Sequence, residues 1–182
     1  MGRAQALGSV LEAAELLMVE MPKIKFIFVG SGVEEASLKK MVEMRCLRNV
    51  KFVSRVPFGE IGIFLKSSDA LLVHLKDDPL FEVTIPSKTQ AYMAIGKPLI
   101  MAVKGDAAKI VELASCGVIA LPENPRNLAD EIMKLVNLSS DERITMGARG
   151  KEFYQTNLSL KAGVDQFVTV FNKLIEDHLF NK

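Results

Sequence analysis

Five short apolar runs, each followed by a helix-length segment and none joined to the next by a hairpin turn, govern what this chain can fold into. The runs are Lys23 to Val29 (KIKFIFV), Val50 to Val53, Ala70 to Leu75, Pro98 to Val103 and Val118 to Leu121. Such short, evenly apolar runs suit strands covered on both faces, and strands separated by helices pair in parallel through right-handed crossovers. The expected fold is α/β: a doubly wound, Rossmann-like parallel sheet flanked by helices. The intervening helices are expected at Gly2 to Glu20, Glu34 to Leu47, Gly59 to Lys66, Ser87 to Ile95, Asp106 to Cys116 and Leu128 to Val136, with Leu38, Met41, Val42 and Cys46 inward on the second. Asp141 to Tyr154 and Leu160 to Phe180 follow as further helices, so residues 1–182 read as a single domain with 140–182 as C-terminal helices. A doubly wound domain normally opens with a strand, whereas this chain opens in a loop and helix. Its first strand is therefore expected to be missing and the sequence to be a fragment. In the order 3-2-1-4-5-6 that strand is central, and its loss leaves two strands with unpaired backbone groups. A closed-up sheet, a strand borrowed from another copy, or a different role for the first segment would each answer this.

Charge and composition narrow the function classes. With 23 Lys and Arg against 22 Asp and Glu, the net charge is +1, which argues against a dedicated nucleic-acid binder. Cys46 and Cys116 are the only cysteines, and His74 and His178 the only histidines, so neither a disulfide framework nor a metal cluster is expected. No apolar run approaches the roughly 20 residues of a membrane span, and the opening residues do not resemble a leader peptide, so the expected location is cytoplasmic.

In an open parallel sheet, ligands collect beyond the carboxyl ends of the strands. That selects Gly30 to Val33, Ser54 to Pro57, Lys76 to Ser87 and Lys104 to Ala107. The most informative stretch is Pro79 to Met93, PLFEVTIPSKTQAYM, where a long loop meets a helix opening with Ser87, Lys88 and Thr89. A helix start offers unpaired N–H groups and partial positive charge, which suits a phosphate or diphosphate beside Lys88. On the blander reading, Ser87 caps the helix and Lys88 faces water. Gly30-Ser31-Gly32 lacks the last glycine of a full dinucleotide fingerprint; it either admits a ligand to the backbone or only makes a turn. Asp77, Asp78 and Glu82 either bind sugar hydroxyls or form a solvated loop. Asp106 either faces the same crevice or caps its helix, and His74, between Val73 and Leu75, reads as a packed structural residue.

Taken together, the stretches resemble the carboxy-terminal, donor-binding domain of a GT-B glycosyltransferase of the large retaining family 4. MGRAQALGSVLEAAELL resembles that family's first loop and helix, and Phe28-Val29-Gly30-Ser31-Gly32 its second strand and turn. NVKFVSRVPFGEIGIFLKSSDALLV resembles its third strand, base-binding loop, short helix and fourth strand. IPSKTQAYMAIGKPLIMAVKGDAAKIVELASCGVIALPENPRNLADEI matches the family's P-S-K…Y-M-A-x-G-K-P pattern together with its next Gly-rich loop, helix and strand. Its IPSKTQAYMA form resembles bacterial polysaccharide enzymes of the N-acetyl-L-fucosamine transferase type.

The resemblance implies a nucleotide-sugar, most commonly UDP-linked, as substrate, with no separate cofactor. It implies Arg55, Val56 and Pro57 beside the base with Gln90 near the ribose; Gly2, Arg3, Ser87, Lys88 and Thr89 around the diphosphate; and Glu82, Gly105 and Asp106 near the sugar. Glu82 and Lys88 are the implied catalytic pair, acting by positioning and by stabilising the departing diphosphate. The family's E-x7-E pair falls here on Val83 and Ala91, while Glu82 and Gln90 keep the spacing one residue earlier. It further implies an absent amino-terminal acceptor domain, a lipid-linked saccharide acceptor, peripheral contact with the inner membrane in the full-length enzyme, and an inactive isolated fragment prone to form homo-oligomers. Two other readings stay open: a non-catalytic doubly wound interaction module, and half of a UDP-sugar epimerase-like GT-B protein.

Overall fold

The computed structural model describes residues 1–57 and 59–180. Its order is α1 (Leu7–Glu20), β1 (Phe26–Val29), α2 (Glu35–Met44), β2 (Val50–Val53), α3 (Ile61–Ser67), β3 (Leu71–His74), α4 (Pro79–Glu82), α5 (Ser87–Ile95), β4 (Leu99–Ala102), α6 (Asp106–Leu113), β5 (Gly117–Ile119), α7 (Pro125–Asn137), α8 (Ser140–Phe153) and α9 (Leu160–Phe180). Every expected strand and helix is present, with ends shifted by a few residues. A single 3₁₀ turn, Arg3–Gln5, precedes α1, and a five-residue π turn, Tyr154–Leu158, separates α8 from α9.

Local chemistry explains most boundaries. Asn124 accepts from the Asn127 N–H ahead of Pro125 and so opens α7. Ser139 and Glu142 form a reciprocal capping box at α8. The short α4, inside what reads as a continuous loop in sequence, is nucleated by Asp78 accepting from Leu80 N–H with Pro79 at its first position. Cys46, expected to face inward, is instead exposed: it sits just past the end of α2 with φ +51°, outside the helical repeat.

All strand pairs are parallel, as expected, but they make two sheets rather than one. One holds β1 and β2; the other has the order β3-β4-β5. In β1, Phe26 and Gly30 donate to Asn49 and Val53 of the β2 side; in β3, Leu71 and Leu75 donate to Pro98 and Ala102 of the β4 side. Because N–H groups alternate along a strand, those of Ile27, Val29, Leu72 and His74 point away from the paired neighbour and have no partner among the described residues.

The two sheets are joined by packing. Val10, Ala13 and Leu17 of α1 are fully buried in a core that takes in Phe26 and Phe28 from the first sheet, Leu72, Ile100 and Ala102 from the second, and Leu128, Ala129, Ile132 and Leu135 of α7. Leu11 packs on Leu38 and Leu47, beside the stacked rings of Phe28 and Phe52, 5.3 Å apart. On the opposite face of the second sheet, Val73, Leu99, Met101 and Val103 meet Met93 of α5, Ala107 and Val111 of α6, and Cys116. Buried Asn49 donates to the Ala14 carbonyl at 2.7 Å and ties β2 to α1. Removing the Leu17 side chain beyond Cβ from this junction would cost roughly 2–5 kcal/mol.

This arrangement makes a direct prediction for hydrogen exchange. The amides of Ile27, Val29, Leu72 and His74 should exchange markedly faster than those of Phe28, Val73, Ile100 and Met101, measured residue by residue by NMR. Equal protection of both sets would mean that the inner edges of β1 and β3 are paired in solution.

Candidate functional site

Within each sheet the parallel strands put their carboxyl ends on one side, and the candidate residues sit on the loops there: an apolar group beyond the first sheet and a charged group beyond the second, taken together below as the cleft. At the apolar end, Val29 and Gly30 after β1, Arg55, Val56 and Pro57 after β2, and Ile61 of α3 line a cavity of about 370 Å³. Gly30 has φ +117° and open space where a Cβ would stand, so its backbone faces the cavity. Gly32 serves a different purpose: a Cβ there would fall 2.2 Å from the Met1 carbonyl oxygen. The glycine turn is thus packed against Met1 on that side. The Met1 ammonium donates to Ser31 O at 2.6 Å, and Glu34 N–H donates to Met1 O at 3.2 Å. Gly2 follows within the cleft, with Arg3 exposed and its guanidinium 3.6 Å from the Glu34 carboxylate.

The charged end is built by α4, α5 and the loop after β4. Gly105, at φ +77°, lies so close to α4 that a Cβ would come within 1.9 Å of the Glu82 carbonyl oxygen. That contact brings Lys104, Gly105 and Asp106 against Glu82. Lys104 pairs with Asp77 at 2.7 Å, and that bond, with the nearby Glu82 charge, holds its pKa above the usual lysine value. Asp106 does not cap α6: Gly105 holds the cap position, and Asp106 pairs with Lys109 at 3.0 Å.

At α5 the cap position belongs to Pro86, and no side chain caps the helix; Ser87 is its first residue and is exposed, which sets aside the capping reading. Lys88 keeps more than a third of its surface exposed, yet enough protein surrounds its ammonium that burial lowers its pKa. It has no carboxylate within 4 Å and no hydrogen-bond partner among the described residues, while Lys104, Arg3 and Lys109 are all paired. Thr89 departs from expectation. It is fully buried, its Oγ1 has no partner, and its N–H donates to Pro86 O at 2.8 Å, so its side chain is part of the core rather than of the cleft wall. Gln90 is half-buried on the same helix.

Sequence reasoning missed the group that joins the two ends of the cleft. His74, 5% exposed, has Nδ1 2.8 Å from the Gln5 carbonyl oxygen and Nε2 3.4 Å from the Glu123 amide nitrogen. The Glu123 carboxylate in turn accepts from Asp77 N–H at 2.7 Å. A lone histidine ending an apolar strand carries no sign of such partners, which lie 69 and 49 residues away along the chain. A larger hollow of about 660 Å³, bordered by Gln155, Thr156, Lys161 and Asp165, lies along α9 and the π turn, away from the strand ends, and its Lys161 is already paired with Asp165.

The α/β layering and the parallel strands flanked by helices are those of GT-B glycosyltransferases. Residues 3–153 match the family model of glycosyl transferases group 1, and the chain belongs to that family. A curated relative, an uncharacterized glycosyltransferase of Methanocaldococcus jannaschii, is 26% identical over 144 residues, covering 78% of this chain and 39% of the relative. The structure of Anabaena HepE in complex with UDP and glucose superimposes with a TM-score of 0.75 at 17% identity, over 93% of this chain and 45% of that one. The C-terminal domain of a group 1 family protein from Francisella tularensis gives 0.71 at 17% identity, over 88% of this chain and 84% of that domain. The chain thus spans less than half the length of the first two and most of the third.

Thr89 supplies a test of which helix-start residues face the cleft. A buried hydroxyl without a partner costs about 1–3 kcal/mol relative to an apolar group of the same shape. Thr89→Val should therefore leave thermal stability unchanged or raise it, and leave nucleotide affinity unchanged. A marked loss of affinity in calorimetric titration, with stability intact, would show that the Oγ1 reaches a ligand.

Proposed function

We propose that this chain is the donor-binding domain of a glycosyltransferase, holding a UDP-sugar across the cleft between the Gly30–Arg55 end and the Glu82–Lys88 end. The observation that carries the reading is Lys88: an unpaired ammonium with a burial-lowered pKa, beside the uncapped first turn of α5. An exposed ammonium without a carboxylate partner is available to an anion, and the free N–H groups of the helix start add donors for the same charge. The base of such a ligand fits the apolar cavity around Arg55, Val56 and Pro57. UDP as the nucleotide is supported by its presence in the Anabaena complex, and a separate donor domain by the fit to the Francisella C-terminal domain.

In this assignment Gly2, Arg3, Ser87 and Lys88 surround the diphosphate, Gln90 lies towards the ribose, and Glu82, Gly105 and Asp106 meet the sugar. As the glycosidic bond to the diphosphate breaks, negative charge grows on the leaving oxygen. Lys88 and the α5 N–H groups stabilise it without reorganising, the kind of help that lowers the barrier most. Glu82 orients the sugar hydroxyls, with Lys104 beside it balancing its charge. The acceptor, a lipid-linked saccharide of a bacterial surface polysaccharide, would be brought by a second domain at the membrane face. No helix among the described residues is long and apolar enough to cross a membrane.

Calorimetric titration with UDP tests this. UDP should bind, and Lys88→Met should weaken it at least tenfold, about 1.4 kcal/mol. The pH dependence has a fixed sign. Because burial lowers the Lys88 pKa, the ammonium is lost at a lower pH than in free lysine, and affinity should fall as pH rises through that alkaline range. Titration of the uracil ring is common to both proteins, so the gap between wild type and Lys88→Met should close as the ammonium is lost. No UDP binding by the folded chain, or an unchanged affinity in the variant, would overturn the assignment.

A further inference from the structure

We infer that His74 is the positioning residue of the cleft: its neutral imidazole clamps the Gly2–Arg3 turn to the Glu123–Asp77–Lys104 chain, so that both walls of the diphosphate site are set by one ring. The inference rests on the donor-binding reading above.

The hydrogen-bond roles are fixed by chemistry. The Gln5 carbonyl can only accept, so the Nδ1 that lies 2.8 Å from it carries the hydrogen. The Glu123 N–H can only donate, so the Nε2 it approaches at 3.4 Å is bare. The ring is therefore held in one neutral tautomer, and burial pushes its pKa below the usual histidine value in the same direction.

Each partner leads to a wall. On one side, Gln5 accepts from Gly2 N–H through Oε1 at 3.3 Å and donates its own N–H to Gly2 O at 3.0 Å, while Lys76 N–H donates to Ala4 O at 2.9 Å. The turn that presents Gly2 and Arg3 is thereby tied to the end of β3. On the other side, Glu123 stands in the left-handed region at φ +52°, a conformation a non-glycine residue holds only against a cost. Its N–H reaches His74 while its carboxylate takes Asp77 N–H at 2.7 Å, and Asp77 takes Lys104 at 2.7 Å. Lys104 leads directly to Gly105, packed on Glu82. Both walls thus hang on a ring that itself is too deeply placed to be a ligand contact.

Protonation breaks the arrangement. A hydrogen on Nε2 would confront the Glu123 N–H, donor against donor. The Glu123 carboxylate is the one charged group whose field acts on the ring among the described residues, and it would be drawn towards the imidazolium and away from Asp77 N–H. Asp77, whose N–H the Glu123 carboxylate accepts, and Lys104, paired to Asp77, are the charged residues bonded onward from it. The neutral form is the one that holds the cleft open for a ligand. Its folded pKa is lowered, so the stabilising arrangement is present at neutral pH and lost as pH falls through that lowered value.

The test uses UDP-glucose, whose diphosphate diester has no group titrating between about pH 5 and 8. Its affinity for the full chain is measured from about pH 7.5 down to about pH 5, alongside long-range imidazole nitrogen NMR of His74. The expected result is a single Nδ1–H tautomer at the upper end of that range. Affinity should then fall about tenfold or more with the same midpoint as the His74 titration, below the ordinary histidine value. His74→Asn keeps a donor for the Gln5 carbonyl and cannot become protonated. It should bind a few-fold more weakly at neutral pH and show no such fall. Affinity that tracks acid identically in wild type and His74→Asn, or an Nε2–H tautomer in the wild type, would overturn the role of His74 while leaving donor binding intact. Absence of UDP-glucose binding at every pH would overturn the donor-binding reading and the role of His74 with it. Should His74→Asn fail to fold, mismatched midpoints in the wild type alone would overturn the inference.

Discussion

Helix α1 is packed against both sheets at once, and the two halves of the molecule keep their relation chiefly through it. No hydrogen bond joins β1 to β3 among the described residues. Their sheets share one core, in which the row Val10, Ala13, Leu17 lies together with Phe26 and Phe28 of the first sheet and Leu72, Ile100 and Ala102 of the second. Apolar burial is strong but has no direction, so by itself it would leave the two sheets free to slide and rotate. Direction comes from a few polar ties along the helix and in the turn ahead of it. Arg45 reaches both Glu12 and Glu15, Asn49 holds the Ala14 carbonyl, and the turn before α1 is bonded to Ser31 on one side and to His74 and Lys76 on the other. The cleft lies over these ties. Its apolar end belongs to the first sheet and its charged end to the second, so the distance a ligand must span is set by α1 and the turn ahead of it.

Strands and helices are legible in the sequence because their signals are local. KIKFIFV, LLVH and LIMA are apolar nearly throughout, and Pro86 and Pro125 mark helix starts. The site loops can be selected for the same reason: once strands are parallel, topology alone says where their carboxyl ends lie. Sequence falls short where the outcome depends on partners distant along the chain. Thr89 stands in a first turn that reads as a ring of phosphate donors, but helical geometry rotates successive side chains by about 100°, and that turn carries Thr89 into the core while Lys88 stays out. Asp106 has the composition of a cap, yet Gly105 takes that place because only a residue without Cβ can pass under Glu82. His74 reads as a packed residue, and it is packed; two backbone groups supplied by Gln5 and Glu123 make it more than that, and no pattern around position 74 announces them.

The division into two sheets belongs to a different class of feature. Pairing of β1 with β2, and of β3 with β4 and β5, follows from short right-handed crossovers, and each pair satisfies one edge. The crossover rule does not say whether β1 and β3 come together. Leu17 is fully buried in the core shared by both sheets, and Leu11 in the smaller core beside β1 and β2. A closed-up sheet, one of the three arrangements the sequence allows, would have to displace this helix and lose the core of ten buried residues that it anchors.

Charge in the cleft follows the same division of labour between near and distant partners. Of its cations, Arg3 leans on Glu34, Lys104 on Asp77 and Lys109 on Asp106, exposed pairs that water and salt screen and that add little to stability. Their worth is positional: Lys104 holds Asp77, Asp77 holds Glu123, and the chain carries the charged wall. Lys88 and Arg55 have no such partner among the described residues. Lys88 is exposed at the start of α5, where partial burial lowers its pKa. A ligand's negative charge there would favour the ammonium, so on the donor-binding reading the diphosphate supplies the partner that the rest of the chain does not.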